Sequence, residues 1–139
     1  MSWAFYANKA GEDFHSELLD KLAQDGGLVF TNNLCAEEVK PSTMHSADMW
    51  YYTGGILADG FLAGRFLYEC PTPSRKAVFC PTMDWRTNKY TYRDIRKVYS
   101  ELLVICTAEI APIYRQVWNR DCMIANDLTE AWELLHERS

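Results

Sequence analysis

Residues 49–69 read MWYYTGGILADGFLAGRFLYE, and residues 70–81 continue as CPTPSRKAVFCP. The conformation of this stretch decides the fold. Its first part is long enough for one helix, with Met49, Tyr52, Ile56, Phe61, Phe66 and Leu67 available for burial, but Gly54, Gly55, Gly60 and Gly64 interrupt it. Each interior glycine costs up to about 1 kcal/mol relative to alanine. Close approach of a neighbouring backbone compensates if Thr53, Gly60, Gly64 and Leu67 form one helical stripe. The alternative splits the stretch into two strands, Trp50 to Thr53 and Phe61 to Tyr68, turning at the glycines. No clean period-two alternation appears, which favours a central helix.

Outward from it, the same periodicity extends the helical reading. Ser2 can cap a first helix carrying Trp3, Tyr6, Ala10, Phe14, Leu18 and Leu22. Leu28 to Phe30 is short and β-prone, and a helical turn is expected at Leu34 to Val39. Prolines 71, 73 and 81 make the insert irregular at its ends, with Lys76 to Phe79 extended between them. Thr91 with Asp94 forms a capping-box start, and the stripe Ile95, Val98, Tyr99, Leu102, Leu103, Ile105 and Cys106 predicts a strong helix that Pro112 ends or kinks. Ile113, Val117 and Trp118 continue the pattern, Asn119 to Cys122 breaks it, and Asp127 with Glu130 caps a last helix bearing Leu128, Ala131, Trp132 and Leu135. The expected architecture is mainly α: one globular domain over residues 1–139, about five helices, a Pro-rich insert and little or no sheet.

The chain has 139 residues, 48% of them apolar and 14% aromatic, enough for one sizeable core. Its formal charge of −5 repels nucleic acid and anionic membranes. The basic run Arg86, Lys89, Arg93, Arg96 and Lys97 reads as a solvated helical face. Asp59 and Arg65 interrupt the most apolar segment, so no membrane span is expected. The N-terminal residues do not form a signal peptide, and the five cysteines leave an odd thiol, so a cytoplasmic protein is expected, or a periplasmic one if a leader has been removed.

No catalytic or metal motif emerges. His15, His45 and His136 fit no ligand spacing, and Thr53-Gly54-Gly55 lacks the lysine of a phosphate loop. No cofactor and no metal are therefore expected. Cys70 and Cys80 flank the insert, and a disulfide between them in an oxidising environment would restrict the unfolded chain by roughly 3 kcal/mol. Cys106 is expected as a buried free thiol. Asp59 lies among apolar residues and glycines, where desolvation would raise its pKa; with Trp50 and Tyr52 as walls it is a candidate pocket. The aromatic surplus points instead to protein binding, since Trp and Tyr are enriched at hot spots. The polar stretch 83–92 is expected to be exposed, with Trp85, Arg86, Lys89, Tyr90 and Tyr92 contacting the partner.

The order GGILADGFLAG, FCP, TYRDIRKVYSELL resembles the small helical immunity proteins that neutralise peptidoglycan amidase effectors of type VI secretion systems. The resemblance covers roughly Gly54 to Leu103 and implies an all-helical protein that dimerises and plugs the active-site cleft of a toxin. Three function classes follow. The first is an acidic, non-enzymatic inhibitor or adaptor that binds a bacterial toxin or defence component stoichiometrically. The second is a small enzyme or ligand-binding protein using Asp59. The third is a subunit of an assembly whose glycine stripe packs helices between chains.

Overall fold

The computed structural model describes residues 3–7, 22, 24, 27–31, 42–83, 85–86 and 90–137. The centre of the molecule is a parallel sheet of seven strands: β1 (Trp3–Ala7), β2 (Leu28–Thr31), β3 (Ser42–His45), β4 (Gly55–Asp59), β5 (Arg75–Cys80), β6 (Leu103–Cys106) and β7 (Met123–Ile124). Their spatial order is β3-β2-β1-β4-β5-β6-β7, and each adjacent pair runs parallel. The chain builds one half of the sheet outward from β1, returns past it and builds the other half outward from β4. A 3-10 helix (Ser46–Tyr51) leads into β4, and α1 (Phe61–Glu69), α2 (Tyr92–Ser100), α3 (Ala111–Trp118) and α4 (Leu128–Glu137) complete the described elements. This is a doubly wound α/β fold, and it overturns the mainly α architecture expected from periodicity and from the resemblance.

The reason lies in burial on both faces. Strand residues alternate between two packed layers, so none needs to be polar. Trp3, Phe5, Val29, Leu57, Ala77, Phe79 and Ile105 face one layer, covered by Leu22 and by Leu128, Ala131, Trp132 and Leu135 of α4. Ala4, Tyr6, Phe30, Ile56 and Ala58 face the other layer under Met49 and α1. Farther along that face, Val78, Cys80, Val104 and Cys106 lie under α2 and α3. A strand apolar on both sides reads as a continuous run such as LVIC or AVFC, without the alternation that would announce it.

Four helical expectations change accordingly. The Met49–Glu69 helix is instead a 3-10 turn, strand β4 and helix α1, meeting at Gly60. The segment around Trp3 is a strand. The helix expected through Cys106 stops at Ser100, and Leu103–Cys106 is β6. Pro112 opens α3 instead of ending its predecessor, because proline lacks only an amide that the first turn leaves unpaired. The glycines do permit close approach, but of a helix to the sheet: a Cβ on Gly64 would come within 2.9 Å of Val78 Cγ2. Gly55 does the same inside β4, where a Cβ would lie 2.5 Å from the Trp3 ring.

Local signals survive intact. Thr91 Oγ1 accepts from the Asp94 amide at 3.2 Å and donates to Asp94 Oδ2 at 3.0 Å. Asp127 Oδ1 accepts from the Glu130 amide at 2.8 Å, starting α4 at its expected place with its expected buried face. β2 and β5 occupy the two segments read as extended. The helical turn expected at Leu34 to Val39 lies outside the described residues.

Candidate functional site at the carboxyl edge of the sheet

In an open parallel sheet the connections leaving two neighbouring strands diverge where the order reverses, opening a crevice at their carboxyl ends. Here the reversal falls between β1 and β4, paired from Trp3 with Gly55 to Tyr6 with Ala58. The last residue of β4 is Asp59, half-buried at that edge. Asp59 is thus the sequence-stretch carboxylate that the topology places beside the crevice.

The step from β4 to α1 depends on the next residue. Gly60 caps α1 with φ 85° and ψ 167°, a conformation essentially reserved for glycine. Its amide donates to Phe79 O at 2.8 Å, tying the junction to β5, and its carbonyl accepts from the Gly64 amide. No side chain caps α1, and its first turn carries no acidic residue. Behind this turn Phe61 is fully buried and meets the Tyr90 ring edge-on at 5.7 Å. The Arg65 guanidinium lies 3.9 Å above the Tyr90 ring and also pairs with Glu69 at 3.1 Å. Gly60, Phe61 and Arg65 escaped the functional reading of the sequence; the signal was Ala-Asp-Gly-Phe, a strand end followed at once by a helix start.

The remaining candidates are dispersed. Trp50 and Tyr52 precede β4 and so lie toward its amino end, separated from Asp59 by the strand, about 16 Å at 3.3 Å per residue. Tyr52 packs edge-on against Phe30 at 5.3 Å, and Trp50 is 54% exposed. The pocket of Asp59 with Trp50 and Tyr52 is therefore not assembled. Trp85, expected at the surface, is 1% exposed and meets Tyr99, Tyr114 and Trp118 in T-shaped contacts between 6.1 and 6.2 Å. It is a core residue because its indole packs among side chains of α2 and α3. Arg86 and Tyr92 are exposed, and Tyr90 is half-buried against α1. Lys89 lies outside the described residues.

The thiols fall on two levels of the sheet. Cys70 sits at the C-terminus of α1 near the amino edge, where burial pushes its pKa up. Cys80 ends β5 at the carboxyl edge, with its sulfur 3.6 Å from the Tyr99 hydroxyl. β5 separates the two, both are free, and the loop-closing disulfide is not formed. Cys80 pairs in register with Cys106, and the hydrogen bond from Cys80 together with burial holds the Cys106 thiol far above its ordinary pKa. Cys106 is the buried free thiol expected of it. Among the described residues no cluster of His, Cys, Asp and Glu could hold a metal ion, and no helix is long and apolar enough to cross a membrane.

The site therefore belongs to the doubly wound parallel α/β class, with Asp59 the carboxylate that the described residues place at the switch point. Compared with known proteins, the chain matches no family model, no curated protein and no solved structure. The glycine fingerprint of dinucleotide-binding sheets is also missing after β1, where the sequence reads Asn8-Lys9-Ala10-Gly11-Glu12.

Proposed function

We propose that the chain is a small-ligand-binding α/β protein whose ligand lies at the carboxyl edge between β1 and β4 and donates hydrogen bonds to Asp59. The observation that carries this reading is the reversal of strand order beside Asp59 and Gly60. Ligands of open α/β sheets bind at that point because only there do the connecting segments part. Asp59 is an acceptor, so the suitable ligand presents hydroxyl or amine donors, as sugars, nucleosides and amino acids do. Fold analogy does not choose among them.

The test is an amide NMR titration of the wild-type protein with a ribonucleoside, a hexose and an amino acid, repeated on Asp59→Asn. One of the three should give saturable shifts centred on Gly60 and Phe61, weakened about tenfold or more in the variant. Saturable shifts confined to the amino edge, or affinity equal in the two proteins, would overturn the assignment.

A second reading, the stoichiometric inhibitor or adaptor, draws on a different surface from the one first expected. Tyr51 is 86% exposed and Trp50 54%, and Trp50 shares a cleft with Phe66, which is 40% exposed. Large apolar side chains grouped at a surface mark interaction sites more often than scattered ones. A cytoplasmic toxin or defence protein as the partner, and a homodimer as the assembly, belong to this reading. Trp50→Ala and Phe66→Ala should each weaken a purified complex by more than about 1 kcal/mol if this patch is central to it.

A further inference from the structure

β5 and β6 end side by side on cysteines. Cys80 is the last residue of β5, Cys106 is the last of β6, and the two are register partners in the parallel pairing. Partners on adjacent parallel strands point to the same face, and both thiols lie fully buried in the layer under α2 and α3. Their sulfurs share a hydrogen bond. Cys80 also lies 3.6 Å from the Tyr99 hydroxyl, and a third thiol, the half-buried Cys122, shares a second hydrogen bond with Cys106. Three of the chain's five cysteines therefore meet around the Cys106 sulfur.

Backbone spacing decides which of the two sulfur contacts can become covalent. Neighbouring strands stand about 4.8 Å apart, inside the roughly 4.4–6.8 Å between Cα atoms that a disulfide spans. Cys80 and Cys106, as direct partners, meet that condition. Cys122 does not. The pairing of Ile105 with Met123 and of Cys106 with Ile124 puts it level with Val104, two residues back from Cys106. One strand spacing and two rises of about 3.3 Å make that diagonal about 8 Å, too far to bridge without moving the backbone.

We propose that Cys80 and Cys106 are a reversible redox pair, which hydrogen peroxide closes into a disulfide joining the ends of β5 and β6. The Cys80 sulfur attacks first, because Cys106 holds its proton through the hydrogen bond with Cys80 and through burial. One peroxide oxygen bonds to Cys80 as a sulfenic acid, the O–O bond breaks, and the other oxygen leaves as water. Cys106 then attacks the same sulfur: an S–S bond forms, the S–O bond breaks, and the Cys106 proton leaves with the departing oxygen as a second water. Two thiols lose two electrons, and one peroxide is reduced to two waters. The oxidant is small and uncharged, and both thiols stand where a strand ends, so local opening of the strand ends admits it. Side chains abreast on adjacent strands hold their Cβ atoms farther apart than the roughly 3.8 Å of a relaxed disulfide, so the bond closes under strain and a reductant reopens it.

The experiment treats the whole reduced protein with hydrogen peroxide at mildly alkaline pH, blocks the remaining thiols with N-ethylmaleimide, digests with trypsin without reduction and identifies the peptides by mass spectrometry. Trypsin places the three thiols on separate peptides, residues 77–86, 98–115 and 121–138. The first two should appear cross-linked and two hydrogens lighter than their sum, and dithiothreitol should separate them. Cys122→Ser should give the same link in the same yield. A dominant link between 98–115 and 121–138, or one between two chains, would overturn the proposal. So would Cys80 and Cys106 that are still blocked by maleimide once Cys122 is oxidised, or that reach the sulfinic acid unlinked. Asp59 takes no part in this chemistry, so its failure and the failure of the ligand reading are separate results.

Discussion

The two ends of β4 are built differently. At its amino end, Tyr52 O accepts from the Ser74 hydroxyl at 2.5 Å and from Thr72 at 3.2 Å. Nearby, Lys76 Nζ donates to Cys70 O at 2.7 Å and to Tyr68 O at 3.3 Å, closing the C-terminus of α1 as basic side chains commonly do. Burial lowers the Lys76 pKa there. At the carboxyl end, α1 starts on a glycine in a conformation closed to other residues, and no side chain caps it. One end spends its side-chain polar groups on the chain's own backbone. The other accepts an unusual backbone geometry where a strand ends on a carboxylate and a helix starts at once. Backbone outliers of this kind persist where surrounding structure enforces them, and they concentrate at functional sites.

The comparison can be broken first at Trp85, which sits in the loop after β5 but belongs to the core. Trp85→Ala should destabilise the protein by about 3–5 kcal/mol in urea unfolding, as expected for a buried indole. A loss under about 1 kcal/mol would return Trp85 to the surface role first expected of it. Next comes the junction itself. Gly60→Ala should cost about 1–3 kcal/mol, because alanine must adopt a positive φ; an unchanged melting curve would show that the turn relaxes freely.

A smaller effect is expected at the amino end. Ser74→Ala should cost about 1 kcal/mol, since Thr72 still donates to Tyr52 O. If it costs as much as Gly60→Ala, the two ends are not distinguished by strain. The smallest effect is a pH dependence. Asp121 has its folded pKa depressed by the Cys122 amide and Arg115, so its contribution is present above the unfolded value and is lost as pH falls through the folded one. It should fade from about pH 4 downward, and Asp121→Asn should flatten that part of the pH–stability curve.

Much of the local structure was legible, and the misreadings share one cause. Thr91 with Asp94 and Asp127 with Glu130 announce helix starts because a cap is a contact between residues three apart. Asn119 to Cys122 reads as a break for an equally local reason. β6 could not be separated from the preceding helix, because Leu103 to Cys106 is apolar at every position and periodicity has nothing to measure. Asp59 drew notice as a carboxylate among apolar neighbours, and its suggested walls, Trp50 and Tyr52, were chosen by nearness in sequence. In a strand, residues seven apart stand at opposite ends.

By itself the sequence determined the helix caps and turns, the net charge, and the identity of the carboxylate worth testing. These depend on residue type and on contacts within a few positions. Tertiary structure decided that the apolar runs are strands, that β1 lies beside β4, and that Asp59 stands at the reversal while Trp85 is buried. Those outcomes depend on pairing between segments about fifty residues apart, whose strand interiors are apolar because both faces of the sheet are covered.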